Sequence, residues 1–435
     1  MRSMRIHCLV ALCIALPMAA HAFPIDTARS RTTQMRRPLA DLARAARVIV
    51  GANQGVYVED AAGRVLLSQA AARPVHPASV AKVLTSLALL RALGPDYRFV
   101  TRFVVSGQLQ GARLQGQMQV QVGANADPAL VDEDALLIAR RLNTLGIHAI
   151  QGPMLVQGAL IFDWQSDPRG EHLARALAGD TPAAAWQAVL ALDPSTAPSS
   201  PPAVQFLDPP TATHDTVAES AAAIPVLASS AVSYRLTLRS EPLLPLLKSL
   251  DDYSNNVVGL LAQTAGGAPA IERLARDSVP AAMRSEITLG DGAGIDPRNR
   301  LSPRAAVKLL RLLEQQLAAT GRTLPDVLPV SGVDPGTLHD RLNQPAEIGR
   351  VVGKTGTVGD YGASALIGAI RTRDQEGEIY FAILNHGLPV PEARRRQDAF
   401  VRVLLARLQP LPWAHAADAL PAVARAQLTS SPQRY

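Results

Sequence analysis

The stretch Pro77–Leu90, PASVAKVLTSLALL, decides how the chain is read. Ser79 and Lys82 stand three apart, so on a helix that starts near Ser79 both side chains leave the same face. The remaining Val80, Ala81, Val83, Leu84, Leu87, Ala88, Leu89 and Leu90 are apolar nearly all round, the pattern of a helix that runs through a core. Lys82 therefore sits where a charge is costly. Pro77 suits the entry to such a helix and Gly94 its end, and a serine in the first turn points its oxygen at unpaired backbone N–H groups.

Lysine usage sharpens the point. The chain has 43 lysines and arginines, of which only four are lysine, at 82, 248, 308 and 354. Positions that need only positive charge have been filled with arginine, so a lysine kept at 82 needs what arginine lacks, the ability to lose its proton. As a base it must titrate near pH 7 rather than near about 10.4, through burial and neighbouring positive charge. Alone, S-x-x-K also reads as a helix-end serine with a snorkelling lysine. Two later motifs decide against that reading.

The N-terminal 1–22 carries Arg2 and Arg5, an apolar run from Cys8 to Ala20, and Ala20-His21-Ala22, which reads as a secretory signal with cleavage before Phe23. It is too short and wrongly flanked for a membrane span. Both cysteines, Cys8 and Cys13, lie within it, and Leu12 before Cys13 argues against a lipoprotein site. The mature chain would then hold no disulfide and no thiolate metal site. The formal charge is +6, or +4 once Arg2 and Arg5 are lost. That mild excess suits an anionic polymer or surface, while 4% aromatics and no basic stripe speak against nucleic acid. Arg29, Arg31, Arg36 and Arg37 form a basic arm read as a solvated tail.

Taken in order, the segments are a helix over 39–47, a hairpin from 55–60 and 64–68, and the Ser79 helix. Strand-like segments follow over 99–122, then a helix over 133–145 and a strand over 154–162. That block reads as an α/β insertion ended by the linker PSTAPSSPP at 194–202. Helices over 242–250 and 256–265 flank a polar break holding Ser254-Asn255-Asn256, which alone are standard capping residues. Gly290–Gly294, GDGAG, is a turn rather than a phosphate loop, since no Lys-Ser helix follows it. Helix 303–317 precedes three strands over 350–357, 363–371 and 378–385, an antiparallel meander, and a closing helix over 391–408. Residues 409–435 read as a loose tail. The nine histidines show no metal-ligand spacing, and His76, three residues before Ser79, reads as a surface loop histidine or, less simply, as a base for Ser79.

S-x-x-K at Ser79 and Lys82, S-x-N at Ser254 and Asn256, and K-T-G at Lys354, Thr355 and Gly356 occur in the order of a penicillin-recognising serine acyl-transfer site. The chain resembles the D-alanyl-D-alanine carboxypeptidase/endopeptidase family, the class C low-molecular-mass penicillin-binding proteins. PAS at 77–79, LGPDYRF at 93–99, DGAG at 291–294, GTL at 336–338 and KTGT at 354–357 carry the resemblance across most of residues 45 to 405. It implies an α+β fold of the serine β-lactamase/DD-peptidase type, an antiparallel sheet flanked by helices with an α/β insertion. The parts would be 23–103 and 235–408 for the peptidase and 104–234 for an insertion shorter than usual. It also implies Ser79 as nucleophile, Lys82 as its base, Ser254 as proton relay and Asn256 as holder of the substrate amide. Lys354, Thr355 and Thr357 would bind the substrate carboxylate with Gly356 between them, and the N–H groups of Ser79 and Thr357 would form the oxyanion hole. Asn255 replaces the usual acid of S-D-N and should face away from the site.

The implied activity is a periplasmic, penicillin-sensitive hydrolase acting on peptidoglycan stem peptides, with no metal or other cofactor and no transmembrane span. Peripheral association with wall or membrane is compatible with the charge, and the oligomeric state is open. A non-catalytic wall-binding relative and a β-lactamase are the alternatives. The intact motif residues weigh against the first, and the lack of a dedicated water-activating glutamate against the second. Lys354, asked only for a point charge, should tolerate arginine better than Lys82.

Overall fold

The computed structural model describes residues 41–192, 200–208, 210–212, 231–373, 377–417 and 426–432. The signal segment, the basic arm and most of 209–230 lie outside the described residues. From the N-terminal side, β1 (Gly55–Asp60) and β2 (Val65–Gln69) form the hairpin, and a tight turn, Ala78–Ala81, leads into α1 (Lys82–Leu93). Then come β3 (Val100–Gln110), β4 (Arg113–Val122), α2 (Asp132–Thr144), β5 (Met154–Gln157) and β6 (Ala231–Arg239). After these run α3 (Leu243–Asp252), α4 (Pro303–Ala318), β7 (Val351–Val358), β8 (Ala363–Thr372), β9 (Glu378–Asn385), α5 (Val390–Leu408) and β10 (Gln427–Pro432).

The fold is α+β. Its first sheet runs β7-β8-β9-β1-β2, antiparallel throughout, so residues at both ends of the sequence meet in one layer. Alternation along the strands divides the sheet between two cores. Tyr57, Val352, Ala365, Ile367, Ala382 and Leu384 pack with α1 and α4 on one face. Val56, Val58, Val351, Leu366, Phe381 and Ile383 pack with Phe400, Val401 and Leu404 of α5 on the other. Every residue from Lys82 to Leu90 is buried, as an all-round apolar helix requires. Gly94, at φ 83°, ends it. No helix among the described residues is long and apolar enough to cross a membrane.

A second sheet has the path β5-β4-β3-β6-β10 with short strands added, and it encloses its own core with α2. β4 and β5 are parallel, while the pairs from β4 through β3 and β6 to β10 are antiparallel. Its strands depart from the expected boundaries. Cuts after 103 and 234 fall inside β3 and β6, and Gln205–Phe206 and Thr211–Ala212 continue the sheet beyond the linker at 194–202. The expected strand over 154–162 breaks at Gly158, whose φ of 98° ends β5.

The loose-tail reading of 409–435 is also corrected. Pro410–Leu411 pairs with β8, Trp413 is buried, and β10 pairs residue for residue with Tyr234–Arg239. β10 covers what would otherwise be the open edge of β6, where unpaired backbone groups invite misassociation. Removing residues 426–435 is expected to lower the melting temperature by about 3–6 °C, the effect of about 1–2 kcal/mol on a unit of this size. Calorimetry giving an unchanged transition would show that β10 adds nothing.

Candidate active site

The turn that carries Ser79 is strained and clamped. Ala78 adopts φ 49°, a left-handed conformation unfavourable for a residue with a Cβ. His76 holds it there. Its Nδ1 accepts from the Ala78 N–H at 3.1 Å and its Nε2 lies 3.0 Å from the Asp296 carbonyl. A carbonyl only accepts, so Nε2 carries the proton and the ring is neutral, and burial lowers its pKa in the same sense. His76 is therefore a buried structural residue with both nitrogens committed, which corrects the surface-loop reading and removes it as a base. Two motif glycines close on the same turn. A Cβ at Gly294 would lie 2.0 Å from the Ala78 carbonyl oxygen, and one at Gly356 would lie 2.7 Å from that of Pro77 and 3.1 Å from the Ser79 nitrogen.

Lys82 is wholly buried, and its Nζ has three neighbours: Ser79 Oγ at 2.8 Å, Asn256 Oδ1 at 3.0 Å and the Ala293 carbonyl at 2.7 Å. Burial, with the Lys354 charge adding to it, lowers its pKa to about 7 against the pull of Asp251 and Asp291. A neutral amine has two N–H groups and one lone pair. The amide oxygen and the carbonyl can only accept, so they take the two N–H groups and leave the lone pair for the Ser79 hydroxyl proton. Ala293 belongs to the DGAG turn, and the Asp291 carboxylate builds that turn by accepting from the N–H groups of Gly294, Ile295 and Asp296 and from Asn299 Nδ2. Thr85 of α1 then fastens it by donating to the Gly292 carbonyl at 2.8 Å.

Lys354 is equally buried. Its Nζ donates to Ser254 Oγ at 2.9 Å and to the Thr355 carbonyl at 3.0 Å. Burial brings its pKa down to about 8, and Asp251 and Asp252 hold it from falling further. Ser254 is not a cap. It sits at φ 55°, while Asn255 does the local capping by accepting from the Val257 N–H at 3.0 Å. Beneath Ser254, the Thr337 N–H donates to the Asp252 carbonyl at 2.8 Å, and a Cβ at Gly336 would meet that oxygen at 2.2 Å, so the GTL word has a structural use. The burial of Lys354 removes the ground for expecting that position to tolerate arginine, whose larger planar head has no room in a closed site.

The structure thus joins Ser79, Lys82 and Asn256 in one cluster and Ser254 with Lys354 in another. It does not gather Lys354 with the two threonines. On β7, Lys354 and Gly356 share the α1 face with Val352, whereas Thr355 and Thr357 share the α5 face with Val351. The cation beside the Thr357 hydroxyl is Arg394 of α5, whose Nη2 donates to Thr357 Oγ1 at 3.0 Å. Sequence reasoning missed Arg394, the Ala293 carbonyl, and Asp251, which is buried and accepts from Ser86 Oγ at 3.0 Å. Among the described residues, no group of three or more His, Cys, Asp or Glu could hold a metal ion.

The model of the D-Ala-D-Ala carboxypeptidase 3 (S13) family matches residues 36–170 and 226–407. Among solved structures, the chain is similar to Bd3459, a predatory peptidoglycan endopeptidase from Bdellovibrio bacteriovorus, at 20% identity and a TM-score of 0.70, over 87% of this chain and 99% of that one. The penicillin G-acylated form of that protein, in complex with the immunity protein Bd3460, matches at 22% and 0.68, again over 87% and 99%. Penicillin binding protein 4 from Haemophilus influenzae matches at 18% and 0.52, over 86% of this chain and 99% of that one. At these identities the likeness is one of fold.

Proposed function

The chain belongs to the D-Ala-D-Ala carboxypeptidase 3 (S13) family, and from that premise we propose that it is a periplasmic serine peptidase that cuts D-alanyl peptide bonds of peptidoglycan through an acyl-enzyme. The observation that carries the reading is the state of Lys82, a lysine without solvent, its two N–H groups taken by pure acceptors and its nitrogen 2.8 Å from Ser79 Oγ. A binding module has no need of such a group.

In the proposed reaction the Ser79 proton passes to Lys82 as Oγ bonds to the carbonyl carbon of the penultimate D-alanine. The N–H groups of Ser79 and Thr357 take the developing oxyanion. The amide C–N bond then breaks, and the proton reaches the leaving nitrogen by way of Ser254, whose Oγ is held by Lys354. Water next adds to the ester, the Ser79 C–O bond breaks, and Oγ recovers its proton. The leaving group is D-alanine in a carboxypeptidase and the amine of a cross-bridge in an endopeptidase. Asn256 would serve twice, orienting Lys82 through Oδ1 and the substrate amide through its remaining groups. β-Lactams would enter as substrates that acylate Ser79.

The test is chromatography of wall peptides after incubation with the mature protein. Loss of the terminal D-alanine, or division of a D-alanyl cross-link, is expected. A protein that penicillin acylates but that leaves every muropeptide unchanged would overturn the hydrolase reading.

A further inference from the structure

We propose that Asp251, buried between α1 and the turn that carries Ser254, is a positioning residue that decides which site lysine keeps the proton: its carboxylate holds the charge on Lys354 and so leaves Lys82 free to act as the base. This deepens the hydrolase reading above, on which it rests, by naming the group that divides the labour of the two lysines. Asp251 belongs to none of the three motifs.

Asp251 stands in the last turn of α3 and is fully enclosed. Its Oδ2 accepts from Ser86 Oγ at 3.0 Å, and Ser86 lies one helical turn beyond Lys82, on the same face of α1. Its backbone carbonyl accepts from the Ser254 N–H at 3.3 Å, and the Leu250 carbonyl accepts from the Asn255 N–H at 2.8 Å. Those bonds hold the turn in which Ser254 takes its φ of 55° and accepts from Lys354 at 2.9 Å. One residue is thus tied to the helix of Lys82 by its side chain and to the partner of Lys354 by its backbone. Its other carboxylate oxygen, Oδ1, is buried with no hydrogen bond among the described residues. An enclosed carboxylate oxygen without a donor leaves nearby cations to compensate its charge.

Three of the chain's four lysines supply those cations. Lys354, from β7, acts on Asp251 more strongly than Lys82, from α1, and Lys248, from α3 itself, acts least. Lys248 is committed elsewhere, to Asp334, to Asp252 and to the Leu328 carbonyl. Asp251 is therefore shared, unequally, by the two site lysines. An enclosed site with one such carboxylate holds one ammonium at far lower cost than two. For Lys354, Asp251 is the first of the charges that favour the protonated form, followed by Asp252. For Lys82, repulsion from Lys354 is stronger than the pull of Asp251 or of Asp291 taken singly. The carboxylate thus holds a proton on Lys354, and the charge so placed drives the proton from Lys82, whose lone pair then faces Ser79 Oγ at 2.8 Å.

The experiment exploits the scarcity of lysine. Mature protein carrying lysine labelled with carbon-13 at Cε is titrated by NMR, and Lys82→Met and Lys354→Met identify the two site signals. In wild type, Lys82 should lose its proton at lower pH than Lys354. Asp251→Asn, which keeps an oxygen for Ser86 and every backbone bond, should lower the Lys354 midpoint by about one pH unit or more and the Lys82 midpoint by less, so that the two draw together. The pH profile of acylation should narrow with them, its alkaline limb moving furthest. Ser86→Ala removes the tether and keeps the carboxylate. It should move both midpoints the same way by less, and it carries the test if Asp251→Asn does not fold. A purely structural Asp251 would slow acylation at every pH and leave both midpoints in place. That result, or a Lys82 midpoint that falls further than that of Lys354, overturns the proposal while the hydrolase reading stands. Titrations as expected in a protein that cleaves no muropeptide overturn the hydrolase reading alone.

Discussion

Ser79→Ala is expected to abolish covalent labelling by penicillin and to reduce peptide turnover by at least about 10⁴-fold, the scale seen when an enzyme loses its nucleophile. The substitution removes one oxygen and little else. Lys82 keeps its two acceptors, Asn256 Oδ1 and the Ala293 carbonyl, and so keeps its place. The turn keeps its clamps, because His76 and the glycines at 294 and 356 act on the backbone of Pro77, Ala78 and Ser79. The cost to folding should be no more than about 1 kcal/mol, one hydrogen bond to a partly buried hydroxyl. Mass spectrometry of the intact protein after exposure to penicillin separates the outcomes. An adduct that persists in Ser79→Ala and maps to another serine would show that the nucleophile has been misidentified.

The pairing of lysine with serine was legible because it uses a residue the composition otherwise avoids. A chain that uses arginine almost everywhere keeps lysines at 82 and 354, and both are buried beside a serine oxygen. The helices and the closing meander were legible because their periodicities are strong and local. What was not legible depended on distant partners. His76 became a buried clamp through a carbonyl 220 residues away, and no feature near it announces Asp296. β10 is polar and exposed on most of its length, so only its pairing with β6 marks it as a strand. The alternation of Lys354-Thr355-Gly356-Thr357 is readable in principle from the two-residue period of a strand. Motif order alone groups the three polar side chains as one anion site, whereas the strand puts them on two faces. Arg394 lies in a run of three arginines with nothing local to single it out.

Lys82→Arg is expected to slow acylation by about 10³-fold or more, nearly the effect of Lys82→Met, although it keeps a long basic side chain. Arginine cannot give up its proton at any working pH, so no lone pair reaches the Ser79 hydroxyl. Lys82→Met tests the same loss with an unbranched side chain of similar length and is the control for misfolding. The wild-type pH profile reports the same group. With Lys82 titrating at about 7 rather than 10.5, its neutral fraction falls about tenfold for each pH unit below that value, so acylation should show an acid limb near pH 7. Lys354, titrating at about 8, sets an alkaline limb if its charge is needed, and because the two lysines interact, both limbs belong to the pair. Neutralising Lys354 by Lys354→Met separates them. It removes a positive neighbour that holds Lys82 down and leaves Asp251 and Asp291 pulling it up, so the remaining acid limb should move to higher pH. Stopped-flow acylation with a chromogenic β-lactam between pH 5 and 9 measures all four proteins. Acylation by Lys82→Arg within tenfold of wild type, or a wild-type rate that stays flat from pH 5 to 8, would mean that some group other than Lys82 accepts the Ser79 proton.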